Sequence, residues 1–127
     1  MYVFDVRQVV KADIDERALG DRSSADNAQA LVIQLAIAKA DAILSRGLSD
    51  EQKGKILLTA DQVVTHEGRI LEKPLNEKEA FEFIEGYGRS PCSTIGSCVL
   101  TDTSTGRRVQ GVDVATVHFS PFDKATI

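Results

Sequence analysis

The amino-acid sequence predicts an α/β fold of mixed α+β character, with a mixed sheet flanked by helices. Three observations carry that expectation. Runs rich in β-branched and aromatic residues recur along the chain. One long segment repeats its apolar residues at helical spacing. The order strand, helix, strand, hairpin, helix, hairpin interleaves the two element types rather than segregating them.

Residues 2–10, YVFDVRQVV, show partial alternation and predict a strand. The acidic, polar KADIDERALGDRSS predicts a loop, and Ser23 or Ser24 stands where a helix cap belongs. Ala28, Leu31, Val32, Leu35, Ala38, Ala42 and Ile43 then follow a helical period, with Gly47 placed to end it. SDEQKG is a solvated loop. ILLTA, 56–60, predicts a short strand buried on both faces and ending at Asp61. VVTHEGRIL reads as a hairpin turning at Glu67-Gly68. Asn76 with Glu79 resembles a capping box, and the helix it opens is expected to bury Ala80, Phe81 and Ile84 and stop near Gly86 or Gly88. STIGSCVLTD and RRVQGVDVATVHF predict an antiparallel hairpin with Gly106 in its turn. Ser120 to Ala125 reads as the start of another helix.

A chain of 127 residues matches one domain, and 43% hydrophobic residues suffice for a core. Fifteen basic against nineteen acidic residues give a net charge of −4. That balance argues against a nucleic-acid or anionic-membrane binder, which would carry a basic face. It leaves room for a small anionic ligand held by a few placed cations. Cys92 and Cys98 share a strand face but lie too far apart along it to pair, which suits a reducing compartment. The longest apolar stretch falls short of the ~20 residues of a spanning helix, and the charged opening does not read as a signal peptide. The expectation is a soluble, intracellular protein.

Asp61 is the first residue able to carry chemistry. An acid at the end of a strand reaches the ligand crevice of an α/β sheet, where it binds a hard cation or polarises water. The plainer reading is a carboxylate accepting backbone N–H bonds in a turn. Lys73, stiffened by Pro74, suits a phosphate oxygen or is simply a surface lysine before a turn. Lys39, among alanines and isoleucine, either snorkels outward or points into a pocket. Asp13, Asp15 and Glu16 form an acidic cluster; the first two share a face suited to a metal, or the loop is only solvated. His66 and His118 have no companion ligand and read as an exposed turn residue and a strand residue. With no nucleophile triad and no P-loop, two carboxylate clusters and two lysines point to metal-assisted attack of water on a phosphoanhydride.

ADIDE at 12–16, LAIAKADAI at 35–43, TADQVV at 59–64, GRILEKP at 68–74 and GRSPCSTIGSCVL at 88–100 occur in the order seen in the Maf family, which the chain resembles over nearly its whole length. The resemblance implies a cytoplasmic, metal-dependent nucleoside triphosphate pyrophosphatase that releases a monophosphate and pyrophosphate. It also implies a fold related to the inosine triphosphate pyrophosphatases, often as a homodimer. By the same resemblance Asp61 is the central acid, on metal or as base; Lys73 contacts phosphate; Lys39 is the helix lysine facing the site. Asp15 and Glu16 help hold Mg²⁺ or Mn²⁺. Gln62 stands where many members have threonine, a form similar to the branch that prefers 7-methylguanosine triphosphate. The family's Ser-x-x-Arg-Arg segment is not found in the sequence, and members continue past residue 127. The chain is therefore expected to be one Maf-like domain, 1–127, lacking those parts and less stable for it. A non-catalytic remnant that binds nucleotide weakly, or binds a full-length relative, is the alternative.

Overall fold

Residues 56–66 form a single strand rather than a short strand followed by a separate hairpin arm. The computed structural model describes residues 5–127. In it β1 (Ile56–His66) turns at Glu67-Gly68 into the three-residue β2 (Arg69–Leu71). β1 also runs beside β3 (Cys92–Asp102), which pairs with β4 (Arg108–Val117). The sheet order is β2-β1-β3-β4, and each of these pairings is antiparallel. The sheet and its two helices form the expected mixed α/β class. Asp61 therefore sits within a strand, not at its end. The strand continues because β3 pairs with it from Ile56 to Thr65, so two polar residues are carried by the ladder. β2 pairs only with Val64, Thr65 and His66, so among the described residues the outer edge of β1 before Val64 is unpaired.

Helix α1 (Ala28–Ser45) covers one face of this sheet. The turn before it is capped by Ser24, whose side chain accepts the Asp26 N–H at 3.2 Å. Gly47, at φ +80°, follows its end, a conformation that favours glycine. The face turned to the sheet carries Ala28, Val32, Ala36 and Ala40, one residue every four, and all are buried. Ala38 and Ala42, expected in this stripe, are only half-buried, because the alanine-rich helix has small residues on several sides and the sheet selects the column of closest approach. Two buried hydroxyls hold this seat. Thr59 Oγ1 donates to the Ala36 carbonyl at 2.8 Å, and Ser97 Oγ donates to the Val32 carbonyl at 2.6 Å. Leu31, Leu35, Val63 and Ile95 complete the core cluster. The span Ala25–Ser45 is long and apolar enough in composition to cross a membrane, contrary to the sequence expectation, but the buried column against the sheet accounts for that character.

The other sheet face carries no helix over its central rows among the described residues. Leu58 there is 56% exposed, so β1 is not buried on both sides. Helix α2 (Glu77–Tyr87) packs at the β1–β2 end instead. Asn76 caps it by accepting the Glu79 N–H at 2.9 Å. Its expected buried residues are incompletely covered: Ala80 and Phe81 are intermediate and Ile84 is 42% exposed. A helix at the margin of a sheet meets less surface than one across its middle. His66, expected at an exposed turn, is 7% exposed. It bonds Ser90 Oγ at 2.9 Å and meets the Tyr87 ring edge-on. Gly86 permits this approach, since a Cβ there would lie 2.9 Å from His66 Cε1.

The β3–β4 hairpin forms as expected, with Gly106 at φ +77° and its N–H on the Asp102 carbonyl at 2.8 Å. Of the predicted strand 2–10, residues 2–4 lie outside the described residues, and 5–10 form no strand. A side-chain bond reaches this stretch, Gln52 Nε2 donating to Gln8 Oε1 at 3.2 Å. β-propensity expresses itself through a neighbouring strand, and none pairs here. The helix expected at 120–125 is a single 3₁₀ turn, Lys124–Thr126, capped by Asp123. Cys92 and Cys98 are both free thiols on β3, as expected.

The seat of α1 is tight enough to test. Ala36→Leu forces a larger side chain between helix and sheet and is expected to lower unfolding free energy by about 1–3 kcal/mol in urea titration. Unchanged stability would show that α1 rides higher on the sheet.

Candidate active site

Strand alternation puts Thr59, Asp61 and Val63 on the α1 side of β1 and Ala60 and Gln62 on the other. The register of α1 then brings Lys39 to Asp61. Lys39 Nζ lies 2.9 Å from Asp61 Oδ1 and 3.3 Å from Glu16 Oε1, and donates to the Ala60 carbonyl at 3.0 Å. One ammonium thus binds two carboxylates and a backbone carbonyl of β1. The side chains are only 18% and 11% exposed for Lys39 and Asp61.

Burial lifts the Asp61 carboxyl above its ordinary value of 3.8; the bond and charge of Lys39 oppose this, while Glu16 and Glu72 reinforce it. Burial pulls the Lys39 ammonium down, but Asp61 and Glu16 together outweigh it, and Lys39 ends above its ordinary 10.5. Both groups hold protons more tightly than in water, so the cluster is short of positive charge. The sign for stability follows. Because the folded Asp61 value is raised, its contribution is full below 3.8 and is lost as pH rises through the folded value. Ionised Asp61 is held in place at a cost to stability.

A groove of about 950 Å³ opens over this cluster. Glu16, Lys39, Asp61, Gln62 and Lys73 all line it, so five of the six residues named from sequence converge. Lys73 is exposed, and its ammonium makes no ion pair among the described residues. Gln62 reaches the groove from the opposite sheet face to Asp61. Asp15 is not brought in: it is exposed at the start of a 3₁₀ turn, and its side chain makes no capping bond. A second hollow of about 280 Å³ beside His66 and Arg89 contains none of the six.

Arg22 and Glu72 were not singled out from sequence. Arg22 Nε pairs with Glu72 Oε2 at 2.7 Å, its Nη2 donates to the Glu16 carbonyl at 2.7 Å, and its Nη1 donates to the Leu19 carbonyl. It ties the loop bearing Glu16 to the loop bearing Lys73. The available signal was Glu72 beside Lys73; no local pattern marks an arginine whose partner is fifty residues away.

Among the described residues no group of three or more His, Cys, Asp or Glu is arranged to hold a metal ion. A hard divalent cation in a phosphate site is commonly held by one or two carboxylates, with water and phosphate completing its shell. Asp61 and Glu16, drawn to a common ammonium in a cluster short of positive charge, fit that mode.

Residues 2–127 match the family model for Maf-like proteins. The chain belongs to the Maf family. It is 36% identical over 121 residues to a 7-methyl-GTP pyrophosphatase of Dictyostelium discoideum, an alignment covering 93% of this chain and 58% of that protein. It is 32% identical to a nucleoside triphosphate pyrophosphatase of Salinispora tropica, over 88% of this chain and 48% of the relative. A nucleoside triphosphate pyrophosphatase of Chlamydia muridarum is 31% identical, with 91% and 59% covered. The chain spans roughly half to three-fifths of the length of these Maf relatives.

Of the three neighbours that act on Asp61, only Lys39 is basic; desolvation and two acids oppose the charged carboxylate. In a Lys39→Met variant, the Asp61 carboxyl followed by NMR is expected to titrate at higher pH than in the parent. An unchanged titration would show that the two groups are not paired in solution.

Proposed function

We propose that this chain carries the catalytic centre of a nucleoside triphosphate pyrophosphatase, which hydrolyses a nucleotide to the monophosphate and pyrophosphate. The observation that carries the reading is the Glu16–Lys39–Asp61 cluster at the edge of a groove with Lys73 in its lining. The names of the relatives support the same substrate class.

In this reading, water forms a bond to the α-phosphorus, the bond from that phosphorus to the bridging oxygen breaks, and pyrophosphate leaves. Asp61 accepts the proton of the attacking water. Its raised affinity for a proton makes it a stronger base than an exposed aspartate. Lys39 holds Asp61 in place and offers charge to the phosphate oxygens. Lys73, an exposed point charge beside a proline, meets the triphosphate from its loop. Asp61 from β1 and Glu16 from the loop before α1 would hold Mg²⁺ or Mn²⁺. Such a cation, when bound, neutralises phosphate charge and acidifies a bound water. Gln62 contacts the nucleotide from the open sheet face.

The test is pyrophosphate release by this chain with Mg²⁺ or Mn²⁺ across dTTP, UTP, CTP, ITP and 7-methyl-GTP. Asp61→Asn is expected to lower turnover by about a hundredfold or more. No release by a folded sample, or release indifferent to Asp61→Asn, would overturn the assignment.

A further inference from the structure

Three basic residues line the groove: Arg17, Lys39 and Lys73. They are not equivalent. Lys39 is already engaged, since its ammonium lies between Asp61 and Glu16. Arg17 and Lys73 are exposed, and neither makes an ion pair among the described residues. An anion entering the groove therefore meets two cations with charge to give, and the sequence marked only Lys73.

Arg17 is projected from a held turn. It is the middle residue of the 3₁₀ turn Glu16–Ala18. The residue before it is held twice. Glu16 Oε1 lies 3.3 Å from Lys39 Nζ, and the Glu16 carbonyl accepts Arg22 Nη2 at 2.7 Å. Two residues after it, Leu19 packs against the core cluster and its carbonyl accepts Arg22 Nη1. The backbone on both sides of Arg17 is thus anchored by charged bonds and by packing. From there Arg17 Nη2 donates to the Lys73 carbonyl at 3.4 Å. That contact joins the acid loop to the lysine loop and orients the guanidinium without neutralising it. A guanidinium carries five N–H donors in a planar fork, so most of them stay available to an anion.

We infer that Arg17 is a further substrate-binding residue, and that with Lys73 it receives the pyrophosphate leaving group. The inference rests on the pyrophosphatase reading. In that reaction water bonds to the α-phosphorus and its proton passes to Asp61. The electron pair of the broken P–O bond stays on pyrophosphate, where negative charge gathers. The Glu16–Lys39–Asp61 cluster marks the point of attack. Lys39 shares its charge between two carboxylates there, so the departing end needs other cations. Arg17 follows Glu16 and Lys73 follows Glu72, which places both next to the acids that act on Asp61 but outside the cluster itself. The fork of Arg17 suits two phosphate oxygens side by side, and the ammonium of Lys73 adds a point charge. Cations placed where charge develops favour the transition state over the bound substrate.

Calorimetric binding of inorganic pyrophosphate and of orthophosphate, with Mg²⁺, tests this without turnover. The parent chain is expected to bind pyrophosphate more tightly than orthophosphate. Arg17→Gln is expected to weaken pyrophosphate binding about tenfold to a hundredfold, the effect of losing charged hydrogen bonds. Arg17→Lys is expected to fall between the two, since it keeps the charge but loses the fork. Urea unfolding of both variants is expected to match the parent, because the side chain is exposed. Parental pyrophosphate affinity in Arg17→Gln overturns the inference, as does a parent that binds no pyrophosphate. If such a variant still releases pyrophosphate from a triphosphate as the parent does, the catalytic reading stands without Arg17. Pyrophosphate binding that depends on Arg17, with no release from any triphosphate, would overturn the catalytic reading and leave the anion site standing.

Discussion

The contact on which the structure depends is the close seat of α1 on β1 and β3. A column of small residues lets the helix backbone approach the sheet, and Thr59 and Ser97 lock it by donating to helix carbonyls. Each hydroxyl is buried and would be costly without a partner. The helix carbonyls accept at a side that larger residues would have shielded. The result fixes rotation and translation of α1 together. Only in that register does Lys39, one residue before the buried Ala40, emerge at the margin of the interface beside Asp61.

That margin is where an ion pair keeps chemical use. Deeper in the core, desolvation would favour neutral groups; in open water, the pair would contribute little. Lys39 and Asp61 lie between these limits, and the same ammonium donates to the Ala60 carbonyl of β1. Glu16 and Glu72 tip the balance toward negative charge. Arg22 keeps the acid loop and the lysine loop near one another, so the excess is held rather than dispersed.

Strand geometry divides the labour between adjacent residues. Asp61 and Gln62 are neighbours in sequence but face opposite sides of β1. The groove joins those sides, which is why two successive residues reach it from opposite faces of the strand. Shortness of β2 is the enabling feature: a full-length neighbour would close the edge of β1 and separate the two sides.

Local residues were enough to mark α1, the caps at Ser24 and Asn76 and the β3–β4 hairpin, while Asp61, Lys39, Lys73, Glu16, Asp15 and Gln62 were drawn into one set only by the family resemblance. Those signals lie in spacing, turn chemistry and motif, all properties of short stretches. The sequence could not mark the end of a strand at Asp61, because an acid within a strand is stable only when a neighbour supplies the ladder. It also left 5–10 as an expected strand for the opposite reason: propensity without a partner. His66 read as exposed until α2 and Gly86 were placed against it. Arg22 and Glu72 acquired meaning only through contacts between distant segments. By itself the sequence determined the two helices, the hairpins and which residues are chemically capable. Tertiary structure decided which of them meet, because burial, charge coupling and sheet register are set by neighbours far away along the chain.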